Sequence, residues 1–379
     1  MKPVVSCVLS IFLMACAANA IAQQSIEIKP LKPNRTAWPQ PEIVSNYGNL
    51  QYLGGLGFDF KPPEGCFGLC GGYSGMTIHP DGKKLTLVSD NNHWLEVDLA
   101  LNNEGLPIGF AGKATVTKMS GVPANHHAES LRRVEKGWLL SFEVDDRRPA
   151  ESDKILVLAD EKKRFNPVSG LEAVAKSLAA DNGLEAVALL KDGGMLLFEE
   201  GRKQNAGHSC VWYQAANGAV VGMAWPVDDE FRPTDAVATK NDAVLVLERR
   251  FPYNHKGQTI YFTSARLRLI TPDAIQASLK HASMQSENCS PGNGVPVLEP
   301  QPGKLLLMKG EVVKGKDDPR SPLDNMEGID VRCVRAPDNR DKVLWIYMNS
   351  DDNLNADQQT TMLLVFQSNN AELNKAACG

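Results

Sequence analysis

The chain has 379 residues, is 43% hydrophobic and carries a formal charge of −5, with a pI near 5.9. That length can bury a large core in one big domain or two medium ones. Lys and Arg are scattered and form no basic stripe, which argues against nucleic acid or an anionic membrane surface as a partner.

Lys2 precedes an apolar run over residues 4–14, and small residues follow over 15–22. This predicts an export leader over 1–22, cleaved after Ala20 or Ala22. The run is too short to span a bilayer. Leu13-Met14-Ala15-Cys16 offers a weaker second reading, lipid anchoring at Cys16, because Met is unusual in the middle of such a box. Either way the chain reads as exported, periplasmic or secreted. Six cysteines then remain: Cys66, Cys70, Cys210, Cys289, Cys333 and Cys378. An even number in an exported chain favours disulfides, with the pairing open. Cys66 and Cys70 are close enough to close a small loop; half of a zinc site is the rival, but no second close pair completes it.

Residues 23–50, rich in proline, read as extended and irregular, with a strand that closes the fold. The mature remainder, 51–379, reads as a single domain. Its first repeated unit runs Ser74-Gly75-Met76, turns at Pro80-Asp81-Gly82 and returns to Asp90. The second runs from Glu129 through Glu135-Lys136-Gly137 to Glu143. The third, residues 183–201, places Lys191-Asp192-Gly193-Gly194 between two apolar runs, a strong hairpin signal because Gly readily takes the positive φ such a turn needs. The fourth runs from Asp235 through Asn241-Asp242 to Glu248-Arg249-Arg250, and the last from Glu327 to Ser350-Asp351-Asp352-Asn353.

Hairpin starts at 74, 129, 185 and 235 are 50 to 56 residues apart, whereas 235 to 327 is 92. That long step predicts a degenerate unit between, with strands at 265–270 and 304–308. A unit of roughly 50 residues holding four short strands is the signature of a propeller blade. The expectation is therefore an all-β propeller of six four-stranded blades, five or seven being the alternatives. Only 171–180 and 272–282 read as helical.

Folding each hairpin about its turn places Ser74 opposite Asp90, Glu129 opposite Glu143, Glu185 opposite Glu200, Asp235 opposite Glu248 and Glu327 opposite Asp351. Nine of these ten positions are acidic. If the hairpins are innermost, their carboxylates ring one mouth of the channel. Such a cluster needs cations, or mutual repulsion raises its pKa values. In an exported protein the available hard cation is Ca²⁺, which prefers oxygen ligands; Asn91, Asn92, Asn349 and Asn353 stand nearby. The alternating Asp351, Asn353, Asn355 and Asp357 read either as a calcium loop or as a solvated polar loop. Arg249 and Arg250 suit phosphate or carboxylate, as do Arg266 and Arg268, with pairing to the acids as the alternative. His126 and His127 are metal-ligand candidates or plain loop histidines. No Gly-x-Ser-x-Gly elbow, His-Glu-x-x-His, P-loop or dinucleotide glycine pattern occurs.

The segments SGMTIHPDGKKLTLVSD, GLEAVALLKDGGMLLFEEG, PTDAVATKNDAVLVLERRF and DNMEGIDV with the later SDDN resemble the phytase-like family, exported bacterial proteins described by an esterase-like activity of phytase. The likeness runs from about Gly54 to Phe366. It implies a propeller in which Ca²⁺ on an acidic face holds phosphate and activates water. Glu129, Glu143, Glu185, Glu200, Asp235, Glu248, Glu327 and Asp351 would hold metal, joined by Asp90 through its pairing. Glu185 and Glu327 are the catalytic candidates, and Arg249 or Arg250 would steady phosphate. The first repeat departs from the pattern at Ser74. Two readings follow: a Ca²⁺-dependent hydrolase of a small, phosphorylated substrate, or a non-catalytic calcium-stabilised propeller binding a small ligand or envelope partner. A monomer without a transmembrane segment is expected in both.

Overall fold

The computed structural model describes residues 23–30, 50–60, 70–122, 125–144, 155–178, 183–200, 207–228, 231–250, 260–281, 295–301, 305–313, 325–335, 342–352 and 361–379. The leader, Cys66, Cys289 and the stretch Asn353–Asp357 lie outside these residues.

Five antiparallel sheets stand in a ring. The first has β4 (Tyr73–Ile78) innermost, then β5 (Lys84–Ser89), β6 (His93–Leu101) and β8 (Ala114–Lys118), with β1 (Gln23–Ile26) outside and β7 (Pro107–Phe110) against β6. The second is β9 (His126–Val134), β10 (Gly137–Val144), β11 (Leu156–Ala159) and β12 (Phe165–Pro167). The third is β13 (Leu184–Leu189), β14 (Met195–Glu199), β15 (His208–Gln214) and β16 (Val220–Pro226), and the fourth β17 (Arg232–Ala238), β18 (Val244–Arg250), β19 (Ile260–Ile270) and β20 (Leu305–Val313). The fifth takes β21 (Asn325–Arg335), β22 (Lys342–Asp351) and β23 (Met362–Ser368) from the end of the chain. It is completed by β3 (Leu50–Phe60) and β2 (Ile28–Pro30) from its beginning.

The fold is a β-propeller of five blades, one of the expected counts but not the favoured six. The two stretches read as a hidden unit are β19 and β20, the outer half of the fourth blade. The long step arises within that blade, where α2 (Pro272–His281) and further chain separate the two strands. α2 and α1 (Glu172–Ser177) fall where helix was expected. A third helix, α3 (Ala371–Cys378), was not anticipated; it is capped by the Asn370 side chain, which accepts from the Leu373 N–H.

Each blade presents apolar side chains to both neighbours, because successive residues of a strand point to opposite faces. In β18, Val244 and Val246 pack toward the third blade, Leu245 and Leu247 toward the fifth. Five separate hydrophobic cores result, one in each gap around the ring. This explains why the second strands read as unbroken apolar runs rather than as the alternating pattern of a sheet wet on one side. A disulfide joins Cys333 at the end of β21 to Cys378 in α3, and Cys70 and Cys210 are disulfide-bonded too. No described helix is long and apolar enough to cross a membrane.

Candidate functional site: the acidic mouth and the axial ion pair

Near the start of every inner strand the pairing register slips by one residue, a β-bulge. The extra residue is Ser74 in the first blade, Glu129 beside Ser130 in the second, Glu185 in the third, Thr234 in the fourth and Glu327 in the fifth. Opposite these, at or within one residue of the ends of the second strands, stand Asp90, Glu143, Glu200, Arg249 and Asp351. Small residues allow the close approach this needs. A Cβ on Gly75 would meet the Glu129 carbonyl at 2.8 Å, and one on Gly328 the Ser74 carbonyl at 2.6 Å.

Seven of the nine proposed acids are therefore drawn to one mouth: Asp90, Glu129, Glu143, Glu185, Glu200, Glu327 and Asp351. Burial, then the repulsion of Glu185, Asp90, Glu143 and Glu327, holds the Glu129 carboxyl well above the usual carboxylate range. Burial followed by Glu143, Glu200 and Glu327 does the same for Glu185. Glu327 is raised by burial despite Arg249, with Asp351, Asp90 and Glu200 adding to it. Asp90 is raised by burial and accepts from the Ser74 hydroxyl at 2.7 Å, with His127 as a nearby cation when protonated.

The fourth blade supplies a base instead of an acid. Arg249 meets Glu327 at 2.5 Å and Glu200 at 3.5 Å, and donates to Asn325. Burial opposes its charge, but Glu327, Glu200, Glu185 and Asp351 outweigh that and hold its pKa up. Its strand neighbour Arg250 pairs with Ser264 across the sheet, and adjacent strand residues point to opposite faces.

Asp235 and Glu248 are not part of the ring, which corrects two of the nine positions. Pro233 pairs with Glu248 and Asp235 with Leu247, so the bulge falls on Thr234, and the hairpin read as starting on Asp235 is out by one residue. A one-residue slip turns every side chain to the other face. Glu248 is fully buried and already satisfied by the Trp225 indole N–H at 2.7 Å, by Arg266 and by Arg268. Arg266 also bonds Asp228 at 2.5 Å, and the two arginines lie over Phe231 and Trp225, so they serve this internal network.

Asp235 lies at the axis, paired with Arg132, and accepts from the Ser130 hydroxyl at 2.8 Å and the Ile329 N–H at 2.9 Å. Arg132 donates to the carbonyls of Val187, Ala236, Met76 and Leu131. One ion pair thereby touches all five inner strands. Burial raises the Asp235 carboxyl to about 6 although Arg132 opposes it. Arg132 escaped the sequence reading: nothing in Leu131-Arg132-Arg133 distinguishes an axial arginine from a surface one. His126 is buried, its main-chain carbonyl accepting from Asn92, and His127 borders the mouth.

The mouth is a dense all-oxygen donor set with one guanidinium, which suits a hard cation in chemistry. Among the described residues, however, no three His, Cys, Asp or Glu side chains already stand in ligating positions.

These features define a five-bladed propeller with a carboxylate-lined channel mouth. The chain belongs to the phytase-like family, described as esterase-like activity of phytase, whose family model matches residues 69–354. No curated protein matches it significantly. Among solved structures it is similar to a thermostable family-43 glycoside hydrolase (9% identity, 78% of this chain and 89% of that one, TM-score 0.38). It is also similar to a glucose dehydrogenase (10%, 83% and 98%, TM-score 0.37) and to a gluconolactonase from Xanthomonas campestris (8%, 90% and 98%, TM-score 0.36).

Proposed function

We propose that this chain is an exported, Ca²⁺-dependent hydrolase of phosphoric esters, working at the acidic mouth. The observation that carries the reading is the convergence of seven carboxylates from four blades on one opening, with a single arginine, Arg249, from the remaining fourth blade. Family membership adds to it, and the disulfides favour an oxidising compartment and hence export.

Glu129, Glu143, Glu185 and Asp90 would hold the ion. When bound, the ion polarises a phosphoryl oxygen and lowers the pKa of a bound water. Arg249 is placed to trade its carboxylate partners for a phosphate, whose geometry its fork also matches. Glu185, as an ion ligand, acts as a carboxylate; Glu327, outside that set and raised by burial and its acidic neighbours, can donate a proton to the departing ester oxygen once Arg249 turns to the phosphate.

The direct test is hydrolysis of p-nitrophenyl phosphate and phytate with added Ca²⁺. Turnover abolished by EGTA and reduced at least a hundredfold in both Glu185→Gln and Glu327→Gln is the expected result; no turnover refutes catalysis. The second reading is a non-catalytic propeller stabilised by calcium. That reading predicts a melting temperature lowered by EGTA without turnover. Unchanged calcium affinity in the doubly substituted Glu185→Gln, Glu327→Gln protein removes both readings.

A further inference from the structure

The inner strands end at the other mouth of the channel, and the chemistry there is reversed. A cavity of about 380 Å³ lies at that end, floored by Arg132 and lined from all five blades. Three further cations border it: Arg133, Lys240 and Arg332. None of the three is ion-paired among the described residues, whereas the charge of Arg132 is matched by Asp235. Arg332 is held in place: its Nε donates to the Pro80 carbonyl at 3.1 Å and its Nη1 to the Tyr347 hydroxyl at 3.0 Å. The one lining carboxylate, Asp330, is already committed. It accepts from the Thr77 hydroxyl at 2.9 Å and from the N–H groups of Ile78 and Val331.

A second, independent feature points to a ligand. Thr239 lines the cavity, is only 5% exposed, and its Oγ1 has no hydrogen-bond partner. A hydroxyl buried without a partner is unfavourable unless something occupies the space beside it. The walls between these polar groups are apolar, formed by Ile78, Leu189, Val237 and Val331. The volume is at the small end of the roughly 300–1,000 Å³ range of ligand pockets.

We propose that this opposite mouth binds a small organic anion, an acidic group carried on an apolar body. Arg133, Lys240 and Arg332 would take the acid, Thr239 would donate a hydrogen bond, and the aliphatic walls would hold the body. The site is separate from the carboxylate mouth and does not depend on any reaction there.

Calorimetric titration with phenylphosphonate, which has no ester bond to cleave, tests this with EGTA present so that no bridging calcium can recruit the probe to the acidic mouth. Saturable binding is expected, at least tenfold tighter than inorganic phosphate. Arg133→Ala and Lys240→Ala lie at the exposed rim and should each weaken it roughly tenfold, the loss expected for one charged contact. Lys240→Arg should restore it, and Thr239→Val should weaken it severalfold. Glu129→Gln at the other mouth should leave it unchanged. The proposal is overturned by no binding, by equal affinity for inorganic phosphate, by indifference to Arg133→Ala and Lys240→Ala, or by loss in Glu129→Gln.

Discussion

Arg132→Met removes the guanidinium that bonds four of the inner strands and, through Asp235, the fifth. The substitution keeps a long apolar stem, so what is lost is chiefly the polar interaction. Asp235 is fully buried and Arg132 only 5% exposed. Deleting one partner of such a pair costs about 3–5 kcal/mol, because the remaining carboxylate is left in a dry site. The carbonyls of Val187, Ala236 and Met76, each in a different blade, lose a donor at the same time. An unfolding entropy of about 2.1 cal/mol/K per residue gives this chain roughly 0.8 kcal/mol/K. The melting temperature should therefore fall by about 4–6 °C, read by calorimetry or circular dichroism. Asp235→Asn in the Arg132→Met background should recover part of this, since no charge is then stranded. The carbonyls would still lack their donor, so recovery should be incomplete. A melting temperature within one degree of the parent for Arg132→Met would refute the axial pair as the element joining the blades.

Two other outcomes follow from the charges at the acidic mouth. Glu129, Glu185 and Glu327 titrate above the ordinary range and Asp235 near 6, so without divalent cation the folded state keeps protons that the unfolded chain releases. Their contribution is fully present below the unfolded carboxylate values and is lost as pH rises through the raised ones, by up to about 1.4 kcal/mol per group per pH unit. In EGTA the melting temperature should decline from pH 5 to pH 8; a rise over that interval contradicts the assignment. Arg249→Gln strips the mouth of its guanidinium and should destabilise the EGTA-treated protein by about 1–3 kcal/mol. Millimolar calcium should restore most of the loss, and a deficit equal in both conditions counts against a cation site.

The propeller and the position of its inner hairpins were legible because each unit repeats a marked turn between apolar runs. Periodicity alone could not show that 251–324 enlarges one blade rather than hiding another, since an insertion and a worn repeat lengthen the interval equally. Folding each hairpin about its turn brings seven of the nine acids to the mouth where the structure has them, whatever they bind there. The method failed in the fourth blade, where Asp235 looks like the counterpart of Glu185 but Thr234 occupies that place. A bulge shifts the count by one, and the sequence does not mark which residue is extra. The departure at Ser74, by contrast, has a partner in Asp90, and the first blade still contributes a carboxylate. The role of Arg249 as the fourth blade's basic substitute came from the same unseen shift.

The fifth blade is stitched from both extremities of the polypeptide, with Leu363 beside Leu56 and Val365 beside Gly54. Until the last strand has left the ribosome, β3 has no neighbour on that side and the circle of blades stays open. An unpaired strand edge of that length is a template for joining another chain, and pairing across so many intervening residues is intrinsically slow. Assembly therefore ends at this seam. A truncation that removes either extremity should leave a protein prone to associate with its own copies rather than one merely shortened.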